Sequence, residues 1–292
     1  MAIAAASRVS RARLSVGYQV TRGAWSGAKY LVLVVFAILS LFPILWMWIA
    51  ALRNRNEVLA NPFALPKSLD FGNLAEAWTV GRFGDYFVNS VITTVPTVGG
   101  VVALSCLAGY GFARFVFRGK TFTFYAFLLG LMVPFQSIMI PLYYELRDFG
   151  MLGTYWAFIL PAITLGLPFG IFLMQAYFRG IPTDLADAAK IDGCSEFQIF
   201  WYIMMPLAGP AVATLTVFQF VWTWNAFLMP LLYLQSESLR PIPLGMMFFQ
   251  GRYTSDIGLL AAGVTIATVP VVIIYFIFQR QFIRGITAGA VK

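Results

Sequence analysis

Residues 30–51 read YLVLVVFAILSLFPILWMWIAA, an apolar block flanked by Lys29 and Arg53. A helix rises about 1.5 Å per residue, so about 20 apolar residues cross the ~30 Å hydrocarbon core of a bilayer. Five further blocks of the same kind follow at 86–111, 122–143, 155–176, 208–233 and 258–279, and none of the six contains Asp, Glu, Lys, Arg or His. A soluble core can bury one or two such blocks, but not six in succession. The first is too long for the apolar region of a signal peptide and has no small-residue cleavage site before Arg53, so it reads as a retained span.

Composition agrees. The chain is 60% hydrophobic and 11% charged, against about 25% charged residues in a soluble domain. The expected fold is an all-α integral membrane protein with six transmembrane helices, which puts both termini on one side. Segments 1–29, 112–121, 177–207 and 280–292 carry 13 Lys and Arg against four acids, whereas 52–85, 144–154 and 234–257 carry seven against eight. The basic excess marks the first set, with both termini, as cytoplasmic. The net charge of +8 therefore calls for no nucleic acid. The organisation expected is a basic N-terminal arm (1–29), a six-helix domain (30–279) with an external segment (52–85) and a cytoplasmic loop (177–207), and a C-terminal tail (280–292). Arg8, Arg11, Arg13, Arg22 and Lys29 suit anionic lipid headgroups. Cys106 falls in a span and Cys194 in a cytoplasmic loop, so both read as small apolar fillers. The chain has no His, the commonest metal ligand and proton shuttle, and no metal site is expected.

The external segment is broken by Pro62 and Pro66, and a short helix is expected over 73–78. The second block is polar for a lipid-facing helix, with Asn89, Ser90, Thr93, Thr94 and Thr97 around Pro96. Its hydroxyls can satisfy backbone groups freed by the proline or line a wet path. Gly99, Gly100 and Gly109 permit close helix approach. Further prolines at 134, 141, 161, 168, 210 and 270 imply kinked helices.

The cytoplasmic loop reads IPTDLADAAKIDGCSEFQIFWYIMMP over 181–206. Thr183 is placed to cap a first short helix, with Asp184 and Asp187 near its positive end. Gly193 stops it, and Ser195 with Gln198 three residues on makes a capping box for a second. Phe197, Phe200, Trp201 and Met204 then form one apolar face. The result is a two-armed elbow, with small Ala186, Ala188 and Ala189 on its first arm. Such an elbow can dock in a partner's groove or lie on the headgroups, although an acidic arm is ill suited to a negative inner leaflet.

The loop also resembles a known family. Bacterial importer permeases carry Glu-Ala-Ala, three residues, Gly, nine residues, Ile, one residue, Leu, Pro. Here Asp187-Ala188-Ala189, Gly193, Ile203 and Met205-Pro206 keep every spacing. Asp187 stands for Glu, which leaves its exact salt-bridge partner open, and Met205 stands for Leu. The tail from Gln279 to Lys292, Pro62 to Pro66, Asn89-Ser90 and Trp224-Asn225 resemble the MalG type of carbohydrate permease.

That resemblance implies the ABC type I importer permease fold in a bacterial cytoplasmic (inner) membrane. It implies a second, MalF-like permease, two ATPase subunits and an external or periplasmic solute-binding protein. It places the ATPase against Asp187, Ala188, Ala189, Asp192, Gly193 and Glu196, and brings Gly285, Thr287, Gly289 and Lys292 toward the ATPase pair. Import rather than export is likewise an implication of the resemblance.

The chain itself has no phosphate-binding loop. Gly119-Lys120-Thr121 lacks the Gly required five residues earlier, where Arg114 stands. ATP and Mg thus belong to the ATPase partners, and this chain is expected to bind no cofactor and to catalyse no reaction. The rival class is an ion-coupled secondary transporter, which keeps ionisable residues inside the membrane; the six blocks have none. For a substrate path, Gln219, Trp222, Trp224, Asn225, Asn89 and Thr93 offer the aromatic faces and amides that sugars use. Gln219 and Trp222 share a helix face. Di-, oligo- or polysaccharide, or glycerol-3-phosphate, all remain open as cargo.

Overall fold

The computed structural model describes residues 27–280 apart from 55–56, 59, 62, 248 and 253–255. Four helices cross as continuous spans: Gly27–Ala51, Phe83–Arg114, Trp156–Gly180 and Ile257–Arg280. Two bent pairs follow the same composition, Lys120–Met132 with Phe135–Asp148 at 99° and Glu196–Leu207 with Gly209–Trp224 at 74°; in the second pair Gly209–Trp224 is the crossing part and Glu196–Leu207 belongs to the elbow. With each bent pair counted as one span, the described residues hold six, numbered here in chain order. The external segment folds into Gly72–Thr79, as expected, after a shorter helix at Arg55–Ala60. A further helix, Ile242–Arg252, precedes the sixth span.

Two expected blocks are not single helices. The 122–143 block breaks at Val133 and Pro134, both extended, because proline brings no backbone N–H to the ladder and disfavours a helical residue before it. The 208–233 block stops at Trp224 and restarts as Leu228–Tyr233. By contrast Pro43, Pro96, Pro141, Pro161, Pro168 and Pro270 lie inside helices without ending them.

The second, fourth and fifth spans form the core that positions the cytoplasmic elbow. Second and fourth meet at Gly109, where an added Cβ would stand 2.6 Å from the Cβ of Met174 and 2.9 Å from the backbone nitrogen of Gln175. Such backbone approach drives helix association where lipid removes the hydrophobic gain. Gly99, by contrast, faces open space. The polar residues of the second span turn inward. Asn89, Ser90, Thr93, Thr94 and Thr97 are all buried. Thr93 donates to the Asn89 carbonyl at 2.8 Å and Thr97 to the Thr93 carbonyl at 2.7 Å. The first span, in contrast, leaves most of its apolar side chains from Tyr30 to Leu45 exposed, the surface of a helix solvated by lipid or by another subunit.

Candidate functional site

The elbow is built from local rules. Its first arm is Asp184–Ile191. Thr183 makes no capping hydrogen bond from its side chain, since its own backbone is already helical at φ −67°, ψ −31°; an N-cap needs extended geometry for its oxygen to reach back. The arm ends as expected at Gly193, with φ +83°. Gly193 N–H donates to the Lys190 carbonyl at 3.0 Å and Cys194 N–H to the Ala189 carbonyl at 2.9 Å. This paired closure satisfies the orphan carbonyls and requires a left-handed residue at its corner. Ser195 and Gln198 form the reciprocal capping box, with Ser195 N–H on Gln198 Oε1 at 2.7 Å and Gln198 N–H on Ser195 Oγ at 3.3 Å.

The second arm departs from the 3.6-residue pattern. Ile199–Met204 is a π-helical turn, which shifts the register of every following side chain. The buried set is therefore Ile199, Phe200 and Met204, while Phe197 and Trp201 stay exposed with Tyr202. On the first arm Ala186 and Ala189 face inward and Ala188 outward. Two of the three small residues thus let the arm pack against this chain's own Tyr110, Phe178 and Phe200 and are not offered to a partner.

One ion pair closes the elbow on itself and three hydrogen bonds fix it to the spans. Lys190 Nζ meets Glu196 Oε1 at 2.6 Å, closing the two arms across Gly193. The second span reaches the same carboxylate, with Tyr110 OH donating to Glu196 Oε2 at 3.1 Å. Arg114 Nη2 donates to the Ile181 carbonyl at 2.7 Å, and Tyr177 OH to the Leu207 carbonyl at 3.2 Å. Lys190 and Tyr110 hold the Glu196 carboxyl below its usual range, and Glu196 in turn raises Lys190. The roles of Tyr110, Arg114 and Lys190 escape sequence reasoning. Their only signal was an i, i+4 pair at the cytoplasmic end of a span and opposite charges flanking a glycine.

The outward side is different in character. Asp184, Asp187 and Asp192 are exposed, as are Leu185, Ile191, Phe197, Trp201 and Tyr202. Asp187 and Asp192 make no ion pair among the described residues. The tail residues Gly285, Thr287, Gly289 and Lys292 lie outside the described residues, as do Arg8, Arg11, Arg13 and Arg22.

The residues proposed for a substrate path separate into three places. Gln219 and Trp222 line a cavity of 160 Å³ between the fourth and fifth spans. Trp224 and Asn225 line another, of 340 Å³, against the sixth span, because Trp222 and Trp224, two residues apart on one helix, point to nearly opposite sides of it. Trp224 donates its indole N–H to the Ala267 carbonyl at 3.0 Å. Asn89 is committed elsewhere: its amide nitrogen donates to the Ser238 and Arg240 carbonyls at 2.8 and 3.0 Å, and its oxygen accepts from Tyr155 OH at 2.6 Å. Thr93 is bonded within its own helix, and Asn89 ties the second span to the outer segment before Ile242. Among the described residues no cluster of His, Cys, Asp and Glu could hold a metal.

Comparison with known proteins places this geometry. Residues 102–288 match the family model described as binding-protein-dependent transport system inner membrane component. The diacetylchitobiose uptake system permease protein NgcG of Streptomyces coelicolor is 32% identical over 92% of this chain and 89% of its own length. The arabinooligosaccharides transport system permease protein AraQ of Halalkalibacterium halodurans is 36% identical over 88% and 92%. In fold, the chain superposes with a TM-score of 0.75, at 23% identity and covering 88% of this chain and 96% of the other, on a chain of a bacterial ABC transporter involved in the import of the acidic polysaccharide alginate.

Proposed function

This chain belongs to the family of binding-protein-dependent transport system inner membrane components, and from that premise we propose that it is a permease subunit of a carbohydrate importer, powered by an ATPase docked on the elbow through its 187–206 loop. The observation that carries the reading is the elbow's two-faced construction. One face is bolted to the second and fourth spans through Glu196, Ile181 and Leu207. The other presents three carboxylates beside Ile191, Phe197, Trp201 and Tyr202. An exposed apolar patch with a charged rim marks a docking surface. A headgroup-bound elbow would set those carboxylates against a negative leaflet, which disfavours that reading.

The partners that complete the assembly are a second permease, two ATPase subunits carrying ATP and Mg, and an external solute-binding protein, in a bacterial cytoplasmic membrane. The carbohydrate reading rests on the diacetylchitobiose and arabinooligosaccharide systems of the relatives. An ion-coupled carrier would need ionisable groups within the spans.

The mechanism follows from the ties. ATP closes the ATPase pair and carries the elbow with it. Lys190–Glu196 keeps its two arms together, and Tyr110 and Arg114 pass the displacement to the second span. That span's outer end is bonded through Asn89 and Ser90 to the backbone at Ser238, Arg240 and Ile242. Movement at the cytoplasmic face thus reaches the outer segment through one continuous element, the two-state body that coupling requires.

The test is the complete importer in proteoliposomes. Loaded binding protein should stimulate its ATPase and drive sugar uptake, with diacetylchitobiose, arabinotriose and glycerol-3-phosphate as the panel. Elbow variants that assemble yet leave both activities at wild-type level would refute the docking role. Stimulation by glycerol-3-phosphate alone would refute the carbohydrate reading.

A further inference from the structure

Gln219 stands ten residues beyond Gly209, the start of the crossing part of the fifth span. That is about 15 Å along a helix that runs five residues further, to Trp224. Its side chain is 4% exposed. Its amide nitrogen makes one long contact, 3.3 Å to Thr223 Oγ1, and its Oε1 accepts no hydrogen bond among the described residues. A carboxamide oxygen left unpaired in an apolar interior is expensive and calls for an explanation.

The surroundings supply one. Gly166 of the fourth span faces the amide so closely that an added Cβ would stand 2.9 Å from both of its polar atoms, so the fourth span is cut away to admit Gln219. The cavity beside it, 160 Å³, is walled by Trp222, which is half exposed. Trp222 is braced by Phe169 at 5.0 Å and Phe218 at 5.8 Å between ring centroids. The floor is thus a free acceptor and the wall a rigid aromatic face. Sugars have hydroxyls for the first and an apolar C–H face for the second, and neither element suits a lipid tail.

We propose that this niche between the fourth and fifth spans is a saccharide subsite contributed by this subunit, where Gln219 Oε1 accepts from a ring hydroxyl and Trp222 packs on the ring. The proposal rests on the carbohydrate reading above.

The assay is the complete importer in proteoliposomes with loaded binding protein, using whichever of diacetylchitobiose or arabinotriose stimulates its ATPase. Gln219→Leu should lower sugar imported per ATP hydrolysed about tenfold, the effect of losing one buried hydrogen bond. Trp222→Phe should retain most transport and Trp222→Ala should lose it. If Gln219→Leu fails to assemble, Trp222→Cys in a Cys106→Ala, Cys194→Ala background gives a second readout. A membrane-impermeant methanethiosulfonate should label it, and the sugar should slow labelling. Wild-type transport per ATP in Gln219→Leu, or labelling absent or unaffected by sugar, overturns the subsite while leaving the carbohydrate reading intact. Failure of both sugars to stimulate the ATPase overturns that reading and the subsite with it.

Discussion

Tyr110→Phe isolates the joint between elbow and second span. The ring is 5% exposed and packs against Phe200 at 5.1 Å and Phe178 at 5.7 Å, contacts that phenylalanine keeps. Only the hydroxyl is lost, and with it the 3.1 Å bond to Glu196 Oε2. A hydrogen bond to a charged group contributes about 1.5–3 kcal/mol net. Glu196 is 45% exposed on its side chain and keeps Lys190, so water replaces part of the loss. An effect of about 1 kcal/mol remains, roughly a fivefold change in an opening equilibrium. Hydrogen exchange on the assembled complex reads it directly. Amides of Ala189, Cys194 and Gln198 to Met204 should exchange about fivefold faster, with the outer ends of the spans unchanged. Glu196→Gln should reproduce most of this, and the double variant should add little, because partners in one contact are non-additive. Wild-type exchange through the elbow in Tyr110→Phe would refute the claim that this bond fastens it.

Three further outcomes are expected. Gly193→Val forces a β-branched side chain to φ +83°, a strain of about 1–3 kcal/mol; binding-protein-stimulated ATPase and uptake should both fall in the complex, with Gly193→Asn milder because Asn tolerates the left-handed region. Asp187→Lys reverses an exposed charge that makes no ion pair among the described residues, so it should leave the thermal midpoint of the isolated subunit nearly unchanged and reduce co-purification of the ATPase. The Glu196 carboxyl is held below its ordinary 4.5 by Lys190 and Tyr110. A depressed carboxylate contributes stability above its unfolded value and loses it as pH falls through the folded one. Elbow protection should therefore be level from neutrality down to pH 4.5 and decline below it, whereas Glu196→Gln should show no such step.

All six spans were legible because run length alone decides them: an apolar stretch with no charge has one stable environment. The breaks inside the third and fifth were not, and the reason is instructive. Pro134 ends a helix while Pro96, Pro161 and Pro168 continue through theirs. Each proline removes the same donor, so the difference lies in whether neighbouring helices hold the two halves in line. The second span is clamped along its length by the fourth, as at Gly109 on Met174. None of the described core clusters holds a residue from Lys120–Met132, and there the break opens to 99°.

The same distinction separates what was readable in the elbow from what was not. Gly193 and the Ser195–Gln198 box act within four residues, so their chemistry is complete in the sequence. The π-helical turn at Ile199–Met204 is set by what Phe200 and Met204 must reach, namely Tyr110 and Phe178 on other spans. That slip turns Trp201 and Tyr202 outward, where with Phe197 they make the apolar part of the docking face. Asn89 makes the point over a longer distance. Its partners at Ser238 and Arg240 lie 149 and 151 residues away, and without them a buried amide in a span reads as a pore residue. Once both its hydrogens and its oxygen are engaged, it becomes a fastening. Gln219 survives the same accounting with its oxygen still free, and that remainder, more than its residue type, distinguishes a group able to meet a passing sugar from one already occupied in holding the helices together.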